Sequence, residues 1–178
     1  MNRFLREVAS FLELIGLETE EVAAVPGSFV PCVEIQCGRL RFTPDALPSD
    51  LLHEAGHVAI MPANFRRMLT GDLDDVVGQV FEDLIRRGLE PDHPMTRALL
   101  QCSDTEATAW AWAAGRHLGL PDDQIITDQD YDGSGAEVRA CLKMRCYFGI
   151  NGLQAAGMCA ARHYPSMTRW VQPHFIES

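Results

Sequence analysis

The stretch Leu51-Leu52-His53-Glu54-Ala55-Gly56-His57-Val58-Ala59-Ile60 places two imidazoles and one carboxylate at a spacing that suits metal chemistry. Residues four apart on an α-helix sit about 40° apart around its axis. His53 and His57 therefore point the same way from successive turns, as two ligands of one ion must. Glu54 projects about 100° to the side. From there its carboxylate can take a proton from a metal-activated water without itself ligating, which is the chemistry of H-E-x-x-H. The flanking Leu51, Leu52, Val58, Ala59 and Ile60 are apolar, as expected of a buried helix that turns its polar groups toward a cleft.

A catalytic zinc site takes three protein ligands and leaves the fourth position for water. The three-histidine pattern H-E-x-x-H-x-x-G-x-x-H is excluded because Ile60 stands where it requires glycine. The remaining candidates are carboxylates. Glu82, 25 residues past His57, lies on a polar helix stripe four residues before Arg86, in an ordinary solvated pairing. Glu106 opens a helix that continues Ala107, Ala109, Trp110, Ala111, Trp112, Ala113 and Ala114, where an inward carboxylate is costly to bury without a partner such as a metal. Asp104 lies about 200° around the same helix, so only one of the two can face the ion. Ser103 and Glu106 also fit a capping box, in which the glutamate serves only the helix start. Glu106 is the preferred third ligand, with Glu82 and Asp104 as alternatives.

Positioning these groups requires a scaffold, and the chain supplies mostly helices. Phe4, Leu5, Val8, Phe11, Leu12 and Ile15 recur at helical spacing and predict an amphipathic helix over 3–16. Alternation through Val30, Val33, Ile35, Leu40 and Phe42, broken at Gly38, predicts a small sheet or hairpin over 29–43. A strand beside a peptidase helix can bind an extended peptide by backbone pairing, although packing the helix is explanation enough for this one. Pro48 with Ser49 or Asp50 as cap starts the motif helix, about 49–60, ahead of Pro62. Gly56 inside it would let a neighbouring element approach closely. Further helices are expected over 72–87, 95–101, 103–118, from a Ser134/Glu137 capping box to about 147, and over 151–161. His93 reads as a loop residue and His117 as a helix-terminal one. Tyr131, His163 and Tyr164 could each donate a hydrogen bond to an oxyanion, yet read as structural.

The 178 residues suffice for one domain, 1–178. Lys plus Arg number 15 against 25 Asp plus Glu, a net charge of -10, which argues against nucleic acid or an anionic membrane as partner. Six cysteines without a C-x-x-C pair read as reduced core residues. The N-terminus lacks a signal-peptide pattern and no run reaches the length of a membrane span, so a cytoplasmic protein is expected.

H-E-A-G-H followed by a helix carrying E-A-x-A-W-A resembles the minimal glutamate zincins of bacteria and phages, the ImmA/IrrE-type metallopeptidases, over roughly residues 51–114. The resemblance implies a mainly helical α+β, zincin-like fold. It also implies Zn²⁺ held by His53, His57 and Glu106, with Glu54 as general base acting on a peptide or protein substrate. H-E-A-G-H is similar as well to the motif of membrane-anchored AAA proteases, but the sequence shows neither an ATPase motif nor a membrane span. A zinc-dependent hydrolase, most simply a peptidase, is the expected function. The alternative is a zincin-like interaction or regulatory protein with structural metal or none.

Overall fold

In the computed structural model, residues 2–25, 30, 32–71 and 73–173 are described. Helix α1 (Arg3–Leu14) starts where the Asn2 side chain accepts from the Phe4 N–H at 3.0 Å, and buries Leu5, Val8, Phe11 and Leu12. It stops short of the expected residue 16, since Gly16 turns the chain with φ +86°. The sheet has three strands in the order β1-β3-β2. β2 (Val33–Gln36) and β3 (Arg39–Phe42) form the expected hairpin, with Val33 opposite Phe42. Cys37 and Gly38 between them both have positive φ, as the favoured two-residue hairpin turns require. Phe29, where the sheet was expected to begin, lies outside the described residues. β1 (Thr19–Glu21) adds a parallel edge strand, Thr19 opposite Leu40. Its T-E-E sequence has no apolar alternation to reveal it.

Helix α2 (Pro48–Ile60) carries the motif. Leu47 occupies the cap position and Pro48 the first helical one, so preset proline φ starts this helix in place of the expected Ser49 or Asp50 cap. At its far end Arg66 donates to the carbonyls of Val58 at 2.9 Å and Met61 at 3.1 Å. The same guanidinium reaches Gln172 O at 3.0 Å, fastening the C-terminal segment to the end of α2.

Helices α3 (Leu73–Arg86) and α4 (Pro94–Leu100) follow. The expected first residue of α3, Asp72, lies outside the described residues. His93 caps α4 by accepting from Met95 N at 3.2 Å. Helix α5 (Asp104–Leu118) buries every residue from Glu106 to Gly115 and packs along α2. Its Trp110 and Trp112 are among the largest fully buried side chains. Trp110 Nε1 donates to Trp170 O at 2.8 Å. Tyr164 is also buried and donates to Ala109 O at 2.7 Å, which makes it a core residue. His117 is exposed and packs its ring on Phe11 and Trp170.

The remainder comprises α6 (Asp122–Ile125), α7 (Asp130–Gly133), α8 (Gly135–Lys143) and α9 (Gly149–Ala155). α7 is a single turn in which Tyr131 and Asp132 are left-handed. Ser134 makes no side-chain cap bond to α8, so the expected capping box is not formed. α9 starts at Gly149 and ends at Ala155, earlier than the expected 151–161, because Gly157 reverses the chain with φ +68°. The architecture is α+β and mainly helical. No helix among the described residues is long and apolar enough to cross a membrane.

Candidate metal centre

Helix α2 is buried nearly all round, and its titratable residues fall at Asp50, His53, Glu54 and His57, spacings of three, four and seven that make one stripe. The N-terminus of α5 faces that stripe. His53 Nε2 and His57 Nε2 lie 3.2 Å apart, with ring planes at 88°. Asp104 Oδ1 lies 3.2 Å from His57 Nε2 and 3.7 Å from His53 Nε2. These three atoms form the group of metal-ligating side chains that converges among the described residues. The side chains are 5 % exposed at His57, 25 % at His53 and 79 % at Asp104, so the cluster is buried on one side and open on the other.

The carboxylate that meets the imidazoles is therefore that of Asp104, and Glu106 lies apart from them. Glu106 is buried in another direction, where it accepts hydrogen bonds from the Ser103 hydroxyl and from Thr105 Oγ1, the latter at 3.0 Å. Gly152 of α9 makes room for it, since a Cβ there would fall 2.2 Å from Glu106 Oε1. Two hydroxyls supply the partners that the buried carboxylate needs. Ser103 serves Glu106 through its side chain and makes no cap bond to the backbone. Glu82 is exposed on α3, and Arg86 pairs with Asp83, not with Glu82.

The surroundings favour a cation. Hydrogen bonds from His53 and His57 hold the Asp104 carboxyl well below the usual carboxylate range. Burial raises the pKa of Glu54, opposed by its attraction to His57 and His53 and reinforced by the Asp104 charge. Asp50 is pushed up to about 6 by burial, with the Asp130 charge adding to the rise. Asp50, expected only as a possible helix cap, stands three residues before His53 and four before Glu54 on the same stripe. A tetrahedral ion with ligands at about 2.0–2.1 Å sets its donor atoms roughly 3.3 Å apart. Separations of 3.2, 3.2 and 3.7 Å fit that requirement.

Tyr131 OH lies 2.6 Å from Thr108 Oγ1, which donates to the Asp104 carbonyl at 2.7 Å, so this loop braces the start of α5. His163 is exposed on the 3-10 turn Ala161–His163. A cavity of about 580 Å³ lined by Glu18, Gln36, Cys37, Arg39 and Arg66 lies elsewhere, at the sheet turn, and contains none of the cluster residues.

No family model, curated protein or solved structure matches the chain.

Asp50 gives a pH dependence. Its folded pKa of about 6 exceeds the ordinary 3.8, so the folded state holds the proton more tightly than the unfolded chain. The resulting stability is full below pH 3.8 and is lost as pH rises through about 6. In metal-free protein, Asp50→Asn should leave stability unchanged near pH 4 and raise it by about 1 kcal/mol near pH 7.5. A shift of this size is worth roughly 3 kcal/mol before discounting for a partly exposed group. Urea denaturation at the two pH values checks this, and an equal effect at both would contradict it.

Proposed function

We propose that the protein is a zinc-dependent hydrolase with a zincin-like site, acting on a peptide or protein substrate. The observation that carries this reading is the convergence of His53 Nε2, His57 Nε2 and Asp104 Oδ1 beside the Glu54 carboxylate. His53, His57 and Asp104 would hold the ion. Two imidazoles and a carboxylate also serve ferrous iron, but the Glu54 carboxylate within electrostatic reach of all three favours hydrolysis. When bound, zinc supplies Lewis acidity, lowering the pKa of water toward neutrality and polarising a carbonyl.

The protein's own contribution is proton management. Glu54 is half-buried on the polar stripe of α2, and burial makes its carboxylate a stronger base than one in water. It takes a proton from the attacking water and returns it to the departing amine. Burial of His57 and packing of α2 on α5 hold the imidazoles in place, while exposed Asp104 leaves the approach open to an extended chain.

Glu54→Gln separates binding from chemistry. Zinc content should stay at that of the wild type, whereas cleavage of a mixed peptide library, read by mass spectrometry, should fall by about 10²–10⁴-fold. Unchanged cleavage in the variant would remove Glu54 from the mechanism. A wild type that cleaves nothing across the library would favour the interaction or regulatory protein.

A further inference from the structure

The C-terminus of α8 ends in a Schellman motif. Arg145 is left-handed with φ 59°. Its N–H donates to Leu142 O at 3.1 Å, and the next N–H, of Cys146, donates to Cys141 O at 3.0 Å. These are the two bonds that define the motif, and its geometry brings together the side chains at its first and last positions, usually an apolar pair. Here both positions are cysteines. Cys146 Sγ lies 3.5 Å from Cys141 O, on the near side of that turn. The neighbouring Cys146 side chain raises the pKa of the Cys141 thiol. Cys146 is exposed and Cys141 half-buried, and both are free thiols.

We propose that Cys141 and Cys146 form a redox modification site, a dithiol that the Schellman turn preorganises to close into an intramolecular disulfide. The oxidant is a low-molecular-weight disulfide such as oxidised glutathione. The Cys146 thiolate attacks one of its sulfurs, breaks the S–S bond and releases one glutathione thiolate, leaving a mixed disulfide. The Cys141 thiolate then attacks Cys146 Sγ, forms the Cys141–Cys146 bond and releases the second glutathione. The protein loses two electrons and two protons, and the reagent gains both. Closure clips the last turn of α8 to the segment leading into α9.

The site differs from the other cysteines. Cys102 is buried with its thiol 3.4 Å from Ile60 O and Ala98 O, Cys159 is buried, and exposed Cys37 faces the Thr70 hydroxyl at 3.8 Å. Of the six cysteines expected in the core, Cys102 and Cys159 are buried and Cys32 packs against it, while Cys37 and Cys146 are exposed.

The test equilibrates the full-length protein in buffers of reduced and oxidised glutathione, folded and again in guanidinium, followed by acid quench and alkylation. Trypsin cuts after Lys143 and Arg145, which places Cys141 and Cys146 in separate peptides, so closure appears as one crosslinked pair in an unreduced digest. The effective concentration of the pair should be at least tenfold higher in the folded protein than in guanidinium, and Cys146→Ser should abolish the crosslink. A ratio of one or less, glutathione adducts in place of the crosslink, or a crosslink to Cys37 would overturn the proposal. None of these readouts depends on metal or on hydrolysis.

Discussion

Asp104→Ala is expected to lower zinc affinity by about a thousandfold while leaving the fold intact, and Glu106→Gln is expected to change affinity by less than about threefold. The size of the first effect follows from sharing roughly 10–16 kcal/mol of zinc binding among three protein ligands, which is about 3–5 kcal/mol each. The side chain of Asp104 is 79 % exposed, so its removal leaves no cavity, and the cost to the fold is limited to the lost contact with His57 Nε2. Glu106 is buried and hydrogen-bonded to Ser103 and Thr105, so its replacement acts on the packing between α5 and α9. Competition titrations with a chelator of known affinity measure both variants, with thermal melts reporting the fold. Loss of zinc on Glu106→Gln with retention on Asp104→Ala would reverse the assignment.

Gly56→Ala should have the second large effect. An added Cβ would lie 2.7 Å from Ala107 O and 2.9 Å from Ala107 Cα. Both are backbone atoms, so no side-chain rotation can relieve the contact and α2 must move away from α5. Overpacking of this kind costs up to about 3 kcal/mol, while exchanging glycine for alanine inside a helix returns about 1 kcal/mol. The net loss of about 2 kcal/mol should lower Tm by roughly 4–8 °C in a chain of this size. Because the movement separates the histidines on α2 from Asp104 on α5, zinc affinity should fall at least tenfold in the same variant. Gly78→Ala in α3 is the control: nothing lies within 4 Å of its Cβ position, and it should stabilise the protein by up to about 1 kcal/mol. A Gly56→Ala protein as stable as the wild type would contradict the close approach of the two helices.

The helices with clear apolar periodicity were legible in the sequence, as was the β2–β3 hairpin, because side-chain burial dictates both patterns. β1 was not, since Thr19–Glu21 is held by backbone pairing to β3 with no buried stripe of its own. The left-handed turn at Tyr131 and Asp132 was equally hidden, because non-glycine residues rarely adopt it and Tyr131 is held there by its contact with Thr108. At the site, the i, i+4 histidines followed from helix geometry alone. Which carboxylate lies beside them did not, because burial was taken as the sign of a carboxylate turned toward the imidazoles. Helix phase separates Asp104 from Glu106 by about 200°, but which side of α5 faces α2 is a tertiary fact. Burial pointed to Glu106, which two hydroxyls satisfy, whereas the carboxylate next to the imidazoles is the exposed Asp104. The polar stripe from Asp50 to His57 was present in the sequence and would have shown the acidic character of that cleft.

Anomalous diffraction at the zinc edge from crystals grown with one equivalent of zinc tests the central claim most directly. The expected result is a single strong peak about 2.0–2.1 Å from His53 Nε2, from His57 Nε2 and from an Asp104 carboxylate oxygen. A peak bound by Glu106, or no peak between the two imidazoles at full zinc occupancy in solution, would contradict it.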